Sequence, residues 1–103
     1  MAGRPNLSLF KISTGTGVAT GGSSTATTIP NAADGNVAEN VLVNVSVAAY
    51  VLPVQSGGSV TAATGMIVNP GNPIALNVTG YAAIAHLQVA SAGRITITPI
   101  ENI

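Results

Sequence analysis

Cysteine and tryptophan are absent from this 103-residue chain, and charge is nearly so: three Lys or Arg, three Asp or Glu, and a formal net charge of zero. Each absence removes a class of protein. Without cysteine there is no disulfide framework and no thiolate chemistry, so stability has to come from packing and assembly, and the redox compartment is left open. Arg4, Lys11 and Arg94 are matched by as many acids and cannot form the basic patch that neutralises phosphates, which sets nucleic acid aside as a partner. The acids Asp34, Glu39 and Glu101 lie far apart, and with one histidine no spacing resembles a zinc, calcium or facial-triad site. Long apolar runs are missing as well. The longest, Val41 to Val54, is broken by Asn44, Ser46 and Pro53 and falls short of the roughly 20 residues a spanning helix needs, so no membrane role is expected. Nor does the N-terminus, Met1-Ala2-Gly3-Arg4-Pro5, lead into the apolar core of a signal peptide, so synthesis in a cytoplasm is expected.

Scarce charge has a positive meaning. Charged residues make up 6% of the chain, against about 25% in an average soluble domain. Surface scaling gives a globule of this mass roughly 5,300 Å², or about 900 Å² per formal charge. One ordinary interface footprint of roughly 800 Å² would meet about one charge. Zero net charge favours association, so the chain reads as a subunit whose surface is largely covered by neighbours.

Val, Ile and Thr are abundant, and β-branched side chains fit a pleated surface. With Phe10, Tyr50 and Tyr81 as the whole aromatic complement, the core must be aliphatic. Leu7 to Ile12 alternates as a strand or extended arm. The Ser/Thr/Gly-rich stretch from Ser13 to Thr28 is part strand, part connector, and Pro30 to Gly35 is turn chemistry. The dominant element is Val41, Val43, Val45, Val47, Ala49 and Val51, an apolar face at period two opposite Leu42, Asn44, Ser46, Ala48, Tyr50 and Leu52; it predicts one long strand ended by Pro53 and Ser56-Gly57-Gly58. Further strands are predicted at Val60–Ala63, Met66–Val68, Ile74–Val78, Tyr81–Val89 (with helix as the alternative) and Arg94–Ile100, the last entered through a hairpin at Ser91-Ala92-Gly93. About seven short strands without an amphipathic helix argue an all-β protein, a single small β-sandwich or jelly-roll-like barrel with an extended N-terminal arm. The expected organisation is one domain, with 1–28 as arm and Ser/Thr/Gly-rich segment and 29–103 as core.

Candidate chemistry is thin. His86 sits in an apolar strand far in sequence from every acid, and no Gly-x-Ser-x-Gly elbow accompanies it, so a hydrogen-bonded structural or interface role is expected and an enzyme is not. Asp34-Gly35-Asn36 lacks the other ligands of a calcium loop and reads as a turn. Gly15-Thr16-Gly17 has no helix behind it to cradle phosphate. The sequons at Asn6, Asn44 and Asn77 read as coincidence, two of them falling inside predicted strands. No catalytic residue, metal site, cofactor or small-molecule substrate is expected; the candidate partner-interface residues are Leu7, Leu9, Phe10, Ile12 and Tyr50.

Taken together, Ile29-Pro30-Asn31-Ala32-Ala33-Asp34-Gly35, the Val-rich run to Tyr50-Val51, Pro70-Gly71-Asn72-Pro73-Ile74, Gly80 to Ala85 and the closing Gly93-Arg94-Ile95-Thr96-Ile97-Thr98-Pro99-Ile100-Glu101 resemble small structural proteins encoded among the head genes of tailed bacteriophages. The resemblance spans most of residues 29–101. It implies a non-enzymatic virion protein, synthesised in the host cytoplasm, that binds the outside of the capsid as a decoration or cement protein and stabilises subunit junctions. Its expected partners are the major capsid protein and itself as a dimer or trimer. A head-to-tail joining or tail protein is the alternative from the same particle, and a glycan-binding or adhesive β-module the alternative from another class.

Overall fold

Successive side chains of a strand leave the backbone on opposite faces, so alternating Val or Ile with small polar residues yields sheets with one dry side. The computed structural model describes residues 10–12, 15–31 and 35–102, and no helix occurs among them. The strands are β1 (Phe10–Ile12), β2 (Thr16–Ala19), β3 (Thr25–Thr28), β4 (Asn40–Val45), β5 (Ala49–Val54), β6 (Met66–Val68), β7 (Ile74–Asn77), β8 (Ala83–Gln88) and β9 (Arg94–Asn102). They form two antiparallel sheets. In the first, β9 lies between β4 and an edge made of β2 and β1 end to end, and β7 pairs β4 on the far side; the second runs β3-β8-β5-β6. From β2 onward every connection except β5 to β6 changes sheet, and the strand order β2-β9-β4-β7 over β3-β8-β5-β6 is that of a jelly roll.

The main core lies between the sheets. Val41, Val43 and Val45 of β4, Ala49 and Val51 of β5, Ile84 of β8, and Ile95 and Ile97 of β9 are buried there with Ile29, Val68 and Val78. A second, smaller core covers the outer face of the second sheet. Val54, Ala83 and Ala85 are buried on it beside half-buried Ala26, Tyr50, Leu52 and Leu87. Its roof is the 55–65 segment, which inserts Val60 and ties it down by donating the Val60 N–H to Ser24 Oγ at 2.9 Å. Gly65 lets the roof close: a Cβ there would stand 2.6 Å from Val60 Cγ2 and 2.8 Å from Tyr50 Cβ.

Four expectations are corrected. Val41 to Leu52 is two strands in different sheets, joined by a corner at residues 46–48. Three corner residues preserve odd-even parity, so the inward face continues from Val45 to Ala49 while Val47 is only half-buried at the bend. Gly93 sits against this corner, where a Cβ would come 2.8 Å from Val47 Cβ. Val60–Ala63 forms no strand, because its apolar residue is used to roof the second sheet. Ser91-Ala92-Gly93 makes no hairpin: β8 and β9 belong to opposite sheets, and the segment carries the chain between them. Pro53 lies inside β5, opposite Ile84; β6 pairs only Ala49 to Val51, so the missing N–H falls where β5 has one neighbour, the position a proline tolerates.

The segment before Ile29 is woven into the sandwich through β2 and β3. Of the arm, Phe10 to Ile12 pair with Asn102 to Ile100 of the same chain; Leu7 and Leu9 lie outside the described residues.

Candidate interaction surface

His86 is the first residue to place, since it is the chain's sole histidine. It shares the inward face of β8 with Ile84 and is fully buried. Its Nε2 shares a 2.8 Å hydrogen bond with Thr27 Oγ1 on the edge strand β3, while Nδ1 has no partner among the described residues. Burial pushes its pKa down from the usual 6.5, favouring the neutral ring. A Thr–His pair invites comparison with a nucleophile and its base, but a base needs a group to orient it and substrate access. Here the second ring nitrogen has no acid beside it among the described residues and the ring is closed off from solvent. The pair is part of the core. No group of three or more His, Asp or Glu gathers as a metal site among the described residues, and no helix there is long and apolar enough to cross a membrane.

The surface divides by charge. Between Glu39 and Arg94 the sequence contains no Lys, Arg, Asp or Glu, and none occurs between Lys11 and Asp34. β3, β5, β6, β8 and the roof are therefore free of formal charge. The described charges sit on or against the first sheet: Lys11 on β1, Arg94 and Glu101 on β9, and Glu39, whose carbonyl accepts from Val78 N at 2.7 Å just before β4. Register places Lys11 opposite Glu101. The outer face of the first sheet exposes Asn44, Asn77, Arg94 and Thr96 around half-buried Leu42 and buried Ile100. Sequon residues Asn44 and Asn77 spend side-chain groups locally. Asn44 Oδ1 accepts from Val45 N at 3.0 Å, and Asn77 bonds Asn40 Oδ1 at 3.3 Å through Nδ2 and the Thr79 N–H at 3.1 Å through Oδ1.

The second sheet carries apolar side chains outward. Register aligns Leu87, Tyr50 and Ile67 in a row across β8, β5 and β6, and the row ends at the free β6 edge, where Ile67 is 50% and Met66 42% exposed. Such an edge offers unpaired backbone groups to another chain.

Of the five candidate interface residues, Leu7 and Leu9 lie outside the described residues, and the other three are divided between the two sheets. Phe10 and Ile12 stand on the edge of the first sheet, and Tyr50 is half-buried on the outer face of the second, beneath the roof. Sequence reasoning missed Met66 and Ile67. The available signal was the charge-free stretch after Glu39, within which β6 is the strand that neither sheet nor roof covers. No family model, curated protein or solved structure matches the chain.

Proposed function

We propose that this protein is a non-enzymatic virion component, a decoration or cement protein that sits on the outside of a phage capsid and bridges junctions of the major capsid protein. The observation that carries the reading is the division of the surface: a small jelly roll with one half free of formal charge and edged by exposed Met66 and Ile67. A cement function needs extended, uncharged contact and strand addition rather than a site. Modest affinity per copy suffices, because the lattice links neighbouring contacts. Jelly rolls host capsid and lectin domains alike, so the fold alone does not choose between them. A glycan module needs an aromatic stacking platform, and the two tyrosines are set apart, Tyr50 under the roof and Tyr81 in the turn before β8.

The test is reconstitution. Purified protein is added to capsids assembled without it, and the particles are imaged by electron cryomicroscopy and challenged by heat. Density at subunit junctions over the whole lattice, with a raised disruption temperature, is the expected result. Density confined to one ring at a vertex would replace cement with a head-to-tail connector. No density at all, with glycan binding by the free protein, would overturn the reading in favour of an adhesive module.

A further inference from the structure

We propose that β6 is a self-association edge: two copies pair β6 with β6, antiparallel about a two-fold axis through Ile67, and fuse their second sheets into one. This goes beyond attachment to a capsid, because it concerns the free protein. The occupant is a second copy for three reasons.

The first is the contrast among the edge strands whose side chains are described, β2, β3, β6 and β7. β2 presents Thr16, Gly17 and Ala19 around a half-buried Val18, β3 presents threonines and Ala26, and β7 turns Ile74 and Leu76 inward while exposing Ala75 and Asn77. β6 alone among these sends large apolar side chains into solvent. It carries neither a charge nor a proline, the devices that usually blunt an edge.

The second is charge. A partner that brings a charged residue against β6, β5 and the roof strips its hydration with no counter-charge to meet it. The surface must meet an uncharged one, and the same patch on another copy is such a surface.

The third is self-complementarity. Antiparallel pairing of one strand with itself is a two-fold contact, in which each residue meets its symmetry counterpart. Three residues overlap completely only when Ile67 lies on the axis, which sets Met66 opposite Val68. The Leu87–Tyr50–Ile67 row then runs unbroken into the same row of the second copy.

The absence of cysteine makes the register directly testable. Ile67→Cys is the only thiol in its chain, and on the axis it meets itself, so mild oxidation should give a disulfide dimer with a native circular dichroism spectrum. Ala75→Cys, on the exposed β7 edge, should not cross-link. In sedimentation equilibrium the unmodified protein should be a dimer, Ile67→Lys should raise its Kd roughly 100-fold, and Ala75→Lys should leave it unchanged. A monomeric unmodified protein, an Ile67→Lys variant that still dimerises, or equal cross-linking at positions 67 and 75 would each overturn the proposal. Should Ile67→Lys fail to fold, the neutral cysteine pair decides. If the free protein is monomeric and Ile67→Lys loses only capsid attachment, the edge belongs to a capsid subunit and the dimer is wrong while the cement reading stands.

Discussion

Acid should weaken this fold through one residue. His86 is fully buried with Thr27 as its sole hydrogen-bond partner among the described residues. β3, β5 and β8 carry no other ionisable side chain except Tyr50, which lies on the opposite face of β5. Among the residues of the first sheet whose side chains are described, the inward-facing ones are Thr16, Pro99 and aliphatics, none of them ionisable, and Arg94 is exposed. Burial strips water from the ring and disfavours its positive form, so the folded-state pKa lies below the unfolded value of 6.5. Above about pH 6.5 both states are neutral at this site and stability is complete. As pH falls below it, the unfolded chain takes up a proton the folded one refuses, and stability drops by up to about 1.4 kcal/mol per pH unit until the folded-state value is reached. At pH 5.5 the loss is therefore bounded at about 1.4 kcal/mol, a ceiling of roughly 6–11 °C in Tm for a domain of this size. Few proteins offer so clean a window: the chain has one histidine and no cysteine, and carboxylates titrate near pH 4. Urea unfolding from pH 7.5 to 5 reads the slope directly. The double variant Thr27→Val/His86→Leu removes both partners together, which avoids stranding either polar group, and should flatten the profile. An unmodified protein equally stable at pH 5.5 and 7.5, or a double variant with the same slope, would refute the reasoning.

Other consequences follow from packing and charge. Ile97→Ala empties a fully buried site between the sheets and should cost about 2–5 kcal/mol in chemical denaturation. Gly65→Ala forces a methyl to within 2.6 Å of Val60 Cγ2; it should cost about 1–3 kcal/mol and alter emission from Tyr50, which no tryptophan masks. If the protein is a capsid cement as proposed, its attachment should change little between about 0.05 and about 1 M sodium chloride, a range in which the Debye length falls from roughly 14 to 3 Å, because exposed ion pairs contribute at most about 1 kcal/mol each and apolar burial is unscreened. Deleting residues 2–12 removes β1 and its pairing with the end of β9; the sandwich should stay folded by circular dichroism, and under the proposed cement role binding to capsids should weaken.

Much of this protein is local in origin, and that part was legible in the chain itself. Alternation at period two in Val41 to Val45, Ala49 to Val51 and Ile95 to Ile97 determines which side chains are dry, whatever strand they pair with, because neighbouring side chains must leave a strand on opposite faces. The isolation of His86 in an apolar strand likewise marked it as a hydrogen-bonded structural residue, as its burial and its bond to Thr27 bear out. Long-range relations decided the rest. No local signal separates a straight strand from a corner that keeps parity, so the break at residues 46–48 became visible only with Gly93 packed against Val47. Val60 looks like any strand residue until the outer face of the second sheet is seen to be apolar and in need of a roof. Which edge is left open is also a property of the whole arrangement: Met66 and Ile67 are exposed because β5 is the last strand to cover them and the roof stops short of β6. Partner choice depends on contacts between distant segments, and these exist only once the sheets have stacked.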